Sequence, residues 1–190
     1  KKWYGKAAEG GNLFAKAALR NLESASNTTS APKLSDTALE EIFLKGQKAG
    51  IIKNYVEAAK WYKTAAEQGH ADAQSELGYC YSYGKGVEKN KAEAIKWYTK
   101  AAEQGNATAQ YNLGWMYEHG RGIIQDYTKA ADWYSRAARK GHSEARYKLG
   151  WMYEKGYGVE QNYSRAMWWY KKAVSSGYKA AQKFYDQLAT

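Results

Sequence analysis

Residues 113–141 read LGWMYEHGRGIIQDYTKAADWYSRAARKG, and the pattern of this stretch returns along the chain at one fixed period. Its dipeptide Trp133-Tyr134 reappears as Trp61-Tyr62, Trp97-Tyr98 and Trp169-Tyr170, 36 residues apart each time. An alanine precedes each Trp by three (Ala58, Ala94, Ala130, Ala166) and a glycine follows each by eight (Gly69, Gly105, Gly141, Gly177). The pattern L-G-x-x-Y-x-x-G-x-G repeats in step, from Leu77-Gly78 to Gly86, from Leu113-Gly114 to Gly122 and from Leu149-Gly150 to Gly158. So many positions returning at a single period point to a repeat array.

Each unit reads as two helices. The first starts near Ala71, Ala107 or Ser143, and its apolar positions step by three and four, as in Ala109, Leu113, Met116 and Tyr117. The G-x-G stretch breaks it, because glycine tolerates the positive φ of a tight connection. The second helix starts after Asn54, Asn90, Asp126 or Asn162, all able to accept from free backbone N–H groups of a first turn. Glu57 and Glu93, three residues on, resemble capping boxes. The glycine eight after each Trp ends this helix. Helices of about 13 residues are marginal alone in water, so the hairpins must stack as a solenoid does. The pairs Ala65-Ala66, Ala101-Ala102 and Ala137-Ala138, with Gly78, Gly114 and Gly150 on the partner helix, are expected to let backbones approach closely. The periodic Trp residues are expected to fill the space between hairpins.

Composition agrees with folding. The chain has 190 residues, 44% of them hydrophobic and 25% charged, which excludes a disordered chain. One Pro and one Cys exclude a collagen, a disulfide scaffold and a Cys-rich zinc fold. No apolar run reaches membrane-spanning length. Tyr and Trp number 18 and 8 against 3 Phe, which suits thin layers whose aromatics reach the surface. The net charge of +10 favours acidic partners. The start at Lys1 is that of a processed chain or a fragment, and no signal peptide is visible, which leaves export undecided.

The unit quoted above resembles the Sel-1-like repeat, a relative of the tetratricopeptide repeat; the long G-x-G loop and the A-A-x-x-G ending carry the resemblance over about residues 37–185. It implies an all-α fold, a right-handed α/α superhelical solenoid of four to five 36-residue helix-turn-helix repeats. It also implies a non-enzymatic module that binds a protein or peptide on its concave face, as adaptor, scaffold or inhibitor. A sharper version is an immunity protein that neutralises an acidic toxin or effector. Family members are common in bacteria and often exported, so a periplasmic or exported location is favoured over the cytoplasm. The disulfide that some members carry in every repeat is impossible with one Cys.

The expected organisation is an irregular N-terminal part, 1–34, then repeats over 35–177, then a capping helix over 178–190. Within the first part, Trp3-Tyr4, Ala7-Ala8 and Gly11 look like the second helix of a truncated unit, Ala15 and Leu19 match a next first helix, and SASNTTSAPK, 24–33, reads as a loop. This part is either a degenerate cap or a piece not contiguous with the rest. A helix is expected from Thr37, boxed by Glu40, to about Lys45.

No catalytic constellation stands out. His70 and His142 share the position that begins a first helix, which favours capping over metal binding, and His119 has no partner in sequence. No cofactor or metal is implied. The G-x-G pairs follow no strand, which rejects a dinucleotide fingerprint. Cys80 takes the position of Met116 and Met152 and reads as buried. The candidate partner-binding residues are aromatics on the first helices. Tyr111 and Trp115 share a face, Tyr147 and Trp151 repeat them, and Tyr79 holds the Trp slot one unit earlier. The competing reading is that these rings only complete hairpin packing. Glu118, His119, Glu154 and Lys155, with Arg121, would supply specificity around the stripe. Trp168, where other units carry Lys60, Lys96 and Asp132, is expected to pack under the last helix rather than stand as an exposed anchor. Lys100, Arg136 and Lys172 fall near helix C-termini, where the dipole favours cations. Clustered Lys/Arg of a nucleic-acid motif is missing, so nucleic acid is not an expected partner.

Overall fold

The computed structural model describes residues 33–189. The chain divides into two compact units, Lys1–Ala38 and Leu39–Thr190, and the repeats belong to the second. The expectations placed on residues 1–32 lie outside the described residues.

Every element among the described residues is helical: α1 (Asp36–Ile51), α2 (Tyr55–Glu67), α3 (Ala71–Tyr83), α4 (Lys91–Glu103), α5 (Ala107–His119), α6 (Tyr127–Arg139), α7 (Ser143–Lys155), α8 (Tyr163–Ser175), a short 3-10 turn (Lys179–Ala181) and α9 (Gln182–Ala189). The fold is an all-α helical repeat solenoid. Each helix packs on the next along the chain through α3 to α8, and the first helices α3 and α5 also touch each other.

The helix starts are set by short polar side chains, as their spacing predicts. Asn54, Asn90, Asp126 and Asn162 each accept from the backbone N–H three residues on. The helix ends follow from glycine. Gly105 has φ 88° and sits just beyond the last turn of α4, where its N–H meets the Ala102 carbonyl at 2.9 Å. The second glycine of the G-x-G serves a different purpose: a Cβ on Gly86 or Gly158 would collide with the Tyr55 or Tyr127 backbone at the start of the preceding unit's second helix, and one on Gly122 with the Lys91 side chain at the equivalent place.

Three expectations need correction. Gly78, Gly114 and Gly150 do not face the alanine pairs; a Cβ on Gly114 would lie 2.7 Å from the Tyr134 ring, and Gly78 and Gly150 meet Tyr98 and Tyr170 in the same way. The glycine therefore makes room for the tyrosine of each Trp-Tyr pair, and Tyr98, Tyr134 and Tyr170 are among the largest fully buried side chains. Trp133 and Trp169 pack half-buried against cores shared by their own and the preceding hairpin, and Trp97 is buried, so the Trp residues do fill the space between hairpins as expected. Second, α1 starts one step earlier and runs a turn and a half further than predicted: Ser35 Oγ, not Thr37, accepts from the Ala38 N–H at 3.2 Å, and the helix continues to Ile51. The long G-x-G loop is missing there, a three-residue turn replaces it, and the glycine that admits Tyr62 is Gly46, 16 residues before it rather than 20. Third, Trp168 is 53% exposed and lies edge-on to Trp169 at 4.5 Å, instead of under α9. The residues under α9 are Tyr147, Tyr170 and Tyr178, gathered around Phe184.

Candidate partner-binding wall

The first helices α3, α5 and α7 present the aromatic residues singled out in the sequence. Tyr79 is 43% exposed and packs on Tyr83, with ring centres 4.6 Å apart. Trp115 is half-buried, stacks on His119 at 4.6 Å and lies under the Arg121 guanidinium. Trp151 repeats the position, edge-on to Tyr157 at 5.1 Å and beside the Lys148 ammonium. Tyr111 and Tyr147 are half-buried as well. Tyr111 stacks on His142 at 4.6 Å, and Tyr147 is covered by the C-terminal residues named above. The two readings of the stripe both hold in part: Tyr79 is exposed, whereas Tyr111, Trp115, Tyr147 and Trp151 are all half-buried and packed against the cores.

The polar candidates divide too. Glu118 is only 6% exposed. Its Oε2 accepts from the Tyr134 hydroxyl at 2.5 Å and its Oε1 from Lys148 Nζ at 2.8 Å. Burial, with the Glu118 charge next in weight, drives the Tyr134 hydroxyl far above its usual range and so keeps it a donor. Glu154 repeats the arrangement in the next unit, accepting from Tyr170 at 2.7 Å and from Lys155 at 2.5 Å. Burial pushes the Glu154 carboxyl upward, but the hydrogen bonds from Lys155 and Tyr170 outweigh it and hold the carboxyl below the usual range. These two glutamates face the hairpin interior, while Lys155, His119 and Arg121 are exposed. His119 is held by an Nδ1–H bond to the Trp115 carbonyl at 2.9 Å.

His70 and His142 cap α3 and α7: each Nδ1 accepts from a backbone N–H, of Ala73 at 3.1 Å and of Ala145 at 3.3 Å. An accepting Nδ1 fixes the proton on Nε2, which in His70 then donates to Glu40 at 3.0 Å. Cys80 is buried, and burial with the nearby Glu76 charge pushes its thiol to about 12, which leaves it a poor nucleophile. Among the described residues no group of His, Cys, Asp or Glu could hold a metal ion, and no helix is long and apolar enough to cross a membrane.

Sequence reasoning missed two features. Gln74, Gln110 and Arg146, one per unit, reach back to the last turn of the preceding hairpin, donating to the Ala66, Ala102 and Ala138 carbonyls at 3.0 Å each. Their shared 36-residue spacing was a visible signal. The second is a cleft of about 100 Å³ between α3 and α5, lined by Ser82, Tyr83, Tyr98, Tyr111, Asn112, Trp115 and Met116.

The geometry is therefore that of stacked hairpins, and the comparison with known families agrees. The profile of the Sel1 repeat matches residues 1–12, 34–70, 71–106, 107–142 and 143–178. The chain belongs to the Sel1 repeat family. Sel1 repeat proteins are generally protein-interaction modules, and their fold is in general a non-enzymatic scaffold. Among solved structures, a Sel1 repeat protein from Oxalobacter formigenes is 40% identical with a TM-score of 0.72, covering 75% of this chain and 59% of its own. A protective antigen of uropathogenic Escherichia coli strains, described as displaying an SLR fold, is 31% identical with a TM-score of 0.76, covering 98% of this chain and 43% of its own. The chain thus spans between two fifths and three fifths of the length of these two relatives. A cysteine-rich protein of Helicobacter pylori is 26% identical with a TM-score of 0.52, over 78% of this chain and 98% of its own. No match was found among curated proteins.

Proposed function

We infer that this Sel1 repeat chain binds a segment of an acidic partner protein along the wall formed by α3, α5 and α7, and that it performs no chemistry of its own. The observation that carries this reading is the line of rings on successive first helices, with Tyr79 and Tyr83 exposed and Trp115 and Trp151 half-buried. Trp and Tyr bury much area with few rotamers to freeze, so they dominate binding hot spots. Lys148 and Arg121 stand beside them, and the net charge of +10 steers a negatively charged segment toward the chain. Direct contact between α3 and α5 supports the first helices as the inner side of the stack.

The test compares baits. The wild-type chain and the Trp115→Ala/Trp151→Ala chain are used to capture proteins from the native host at several salt concentrations. The reading expects captured species that the double variant loses at unchanged helicity and that weaken as salt rises, since exposed charge pairs are screened beyond about 10 Å at 0.1 M salt. Because both Trp residues also touch the cores, Tyr79→Ser serves as a second variant at an exposed position. Equal capture by all three baits sinks the proposal.

A further inference from the structure

We propose that the cleft between α3 and α5 receives the carboxylate of a glutamate or aspartate side chain presented by the partner protein, in the place that Glu118 and Glu154 fill in the two following units. This rests on the reading of the wall as a protein-binding surface and names the chemistry of one anchor.

The comparison is internal to the chain. Tyr98, Tyr134 and Tyr170 stand 36 residues apart, each ring seated on a glycine of the partner helix. The Tyr134 and Tyr170 hydroxyls donate to the carboxylate of the residue 16 positions earlier, Glu118 and Glu154. At Tyr98 that residue is Ser82. The cation changes with it: Lys148, which pairs with Glu118 at 2.8 Å, is Asn112 one unit earlier. Both long charged side chains are thus replaced by short neutral ones, and the space they would fill is open as the cleft of about 100 Å³. Among the described residues none accepts from the Tyr98 hydroxyl.

The walls suit a carboxylate. The Tyr98 hydroxyl, the Ser82 hydroxyl and the Asn112 amide all donate, and a carboxylate is an acceptor with room for several such bonds. Tyr83, Tyr111 and Trp115 surround them with ring surface, and hydrogen bonds to a charged group are the stronger kind. Arg121, 5.8 Å from the Trp115 ring centre, adds positive charge at the edge, within a chain of net charge +10. The acidic residue Glu76 lies on the same helix, six residues before Ser82 and so about 9 Å away along the axis. Its charge reaches the Tyr98 hydroxyl and opposes an incoming carboxylate, so the donors of the cleft have to outweigh it.

The experiment uses a random dodecapeptide display library panned on the full chain, with enriched peptides resynthesised and measured by fluorescence anisotropy. The proposal expects the peptides to share a Glu or Asp, and its amide replacement to weaken binding at least tenfold. Tyr98→Phe, which removes only the donor, and Ser82→Glu, which fills the cleft as the sister units do, should each cost at least tenfold. Ser82→Glu/Asn112→Lys, which restores both members of the sister node, should also lose the binding while keeping the melting temperature, showing that the lost binding is not lost folding. Peptides without a common acidic residue, or binding that survives Ser82→Glu, overturn the carboxylate site. Trp115→Ala separates the two ideas. If it abolishes binding that Ser82→Glu leaves intact, the wall stands and the cleft falls; if no peptide depends on Trp115, both fall.

Discussion

The units 71–106 and 107–142 have the same length, the same helix bounds relative to their start and the same glycines, yet their interiors differ in polarity. In the second of them Tyr134 and Glu118, with Lys148 of the next unit, form a closed hydrogen-bonded node. In the first, Tyr98 and Ser82, with Asn112 of the next unit, leave a cleft. The backbone of a repeat is thus held by apolar contacts and glycine clearances common to both units, and the polar side chains can vary around it. A repeat array tolerates such local change because each hairpin answers only to its neighbours.

The largest expected effect tests what the two units share. Gly78→Ala and Gly114→Ala each drive a methyl group into a fully buried tyrosine ring. Each should cost about 3 kcal/mol or prevent folding, as overpacking of a tight core does. Urea unfolding of both variants checks this, and a tolerated alanine at either site would break the equivalence. The next effect tests where they differ. Tyr134→Phe leaves the buried Glu118 short of a donor and should cost about 1–3 kcal/mol. Tyr98→Phe loses no internal hydrogen bond and should change stability by less than about 0.5 kcal/mol. Equal losses in thermal melts would erase the distinction.

The third effect lies at the junctions. Asn106 caps α5 and His142 caps α7, by the same bond to the N–H three residues on. Burial lowers the His142 pKa, and the nearby Glu144 charge opposes it only in part. A group whose folded pKa is depressed binds protons more readily when unfolded, so its contribution is present above the ordinary histidine value of about 6.5 and declines as pH falls toward the folded value. The urea midpoint should therefore drop between pH 7.5 and 5.5, and His142→Asn, which copies the other junction, should flatten that part of the profile. Tyr111, stacked on His142, and Glu144 are the groups that face it.

The smallest effect concerns the ladder between hairpins. Gln104 donates to Gln74 Oε1 at 2.7 Å, whereas the equivalent Gln110 Oε1 is buried and unpartnered. Residue 140, at the Gln104 position, is Lys. Lys140→Gln should supply the missing donor and stabilise the chain by about 0.5–1 kcal/mol, read as a rise in melting temperature.

Much of this was legible in one dimension. Trp133-Tyr134 and its copies gave the period, Asn90 and its equivalents gave helix starts, and Gly105 and its equivalents gave helix ends, because caps and chain reversals depend on a few neighbouring residues. That Tyr79, Trp115 and Trp151 occupy one slot of successive first helices was legible from the 36-residue period alone. The role of Gly114 was misassigned because its partner, Tyr134, is 20 residues away, and no local rule says whether a ring or a methyl group lies opposite a glycine. The cap at Ser35 and the extension of α1 were missed because residues 36–70 lack the G-x-G signal that marks the other first helices.

By itself, then, the sequence determined the 36-residue period, where α3 to α8 begin and end, and which slots carry aromatic rings. These follow from short-range hydrogen bonding and from periodicity. The tertiary structure alone decided which of those rings reach water, that Glu118 faces inward while Trp168 faces outward, and that Ser82 and Asn112 leave a space beside Tyr98. Burial is a property of what packs against a residue, and in a stack those neighbours come from the adjoining hairpin, some 30 residues away in the chain.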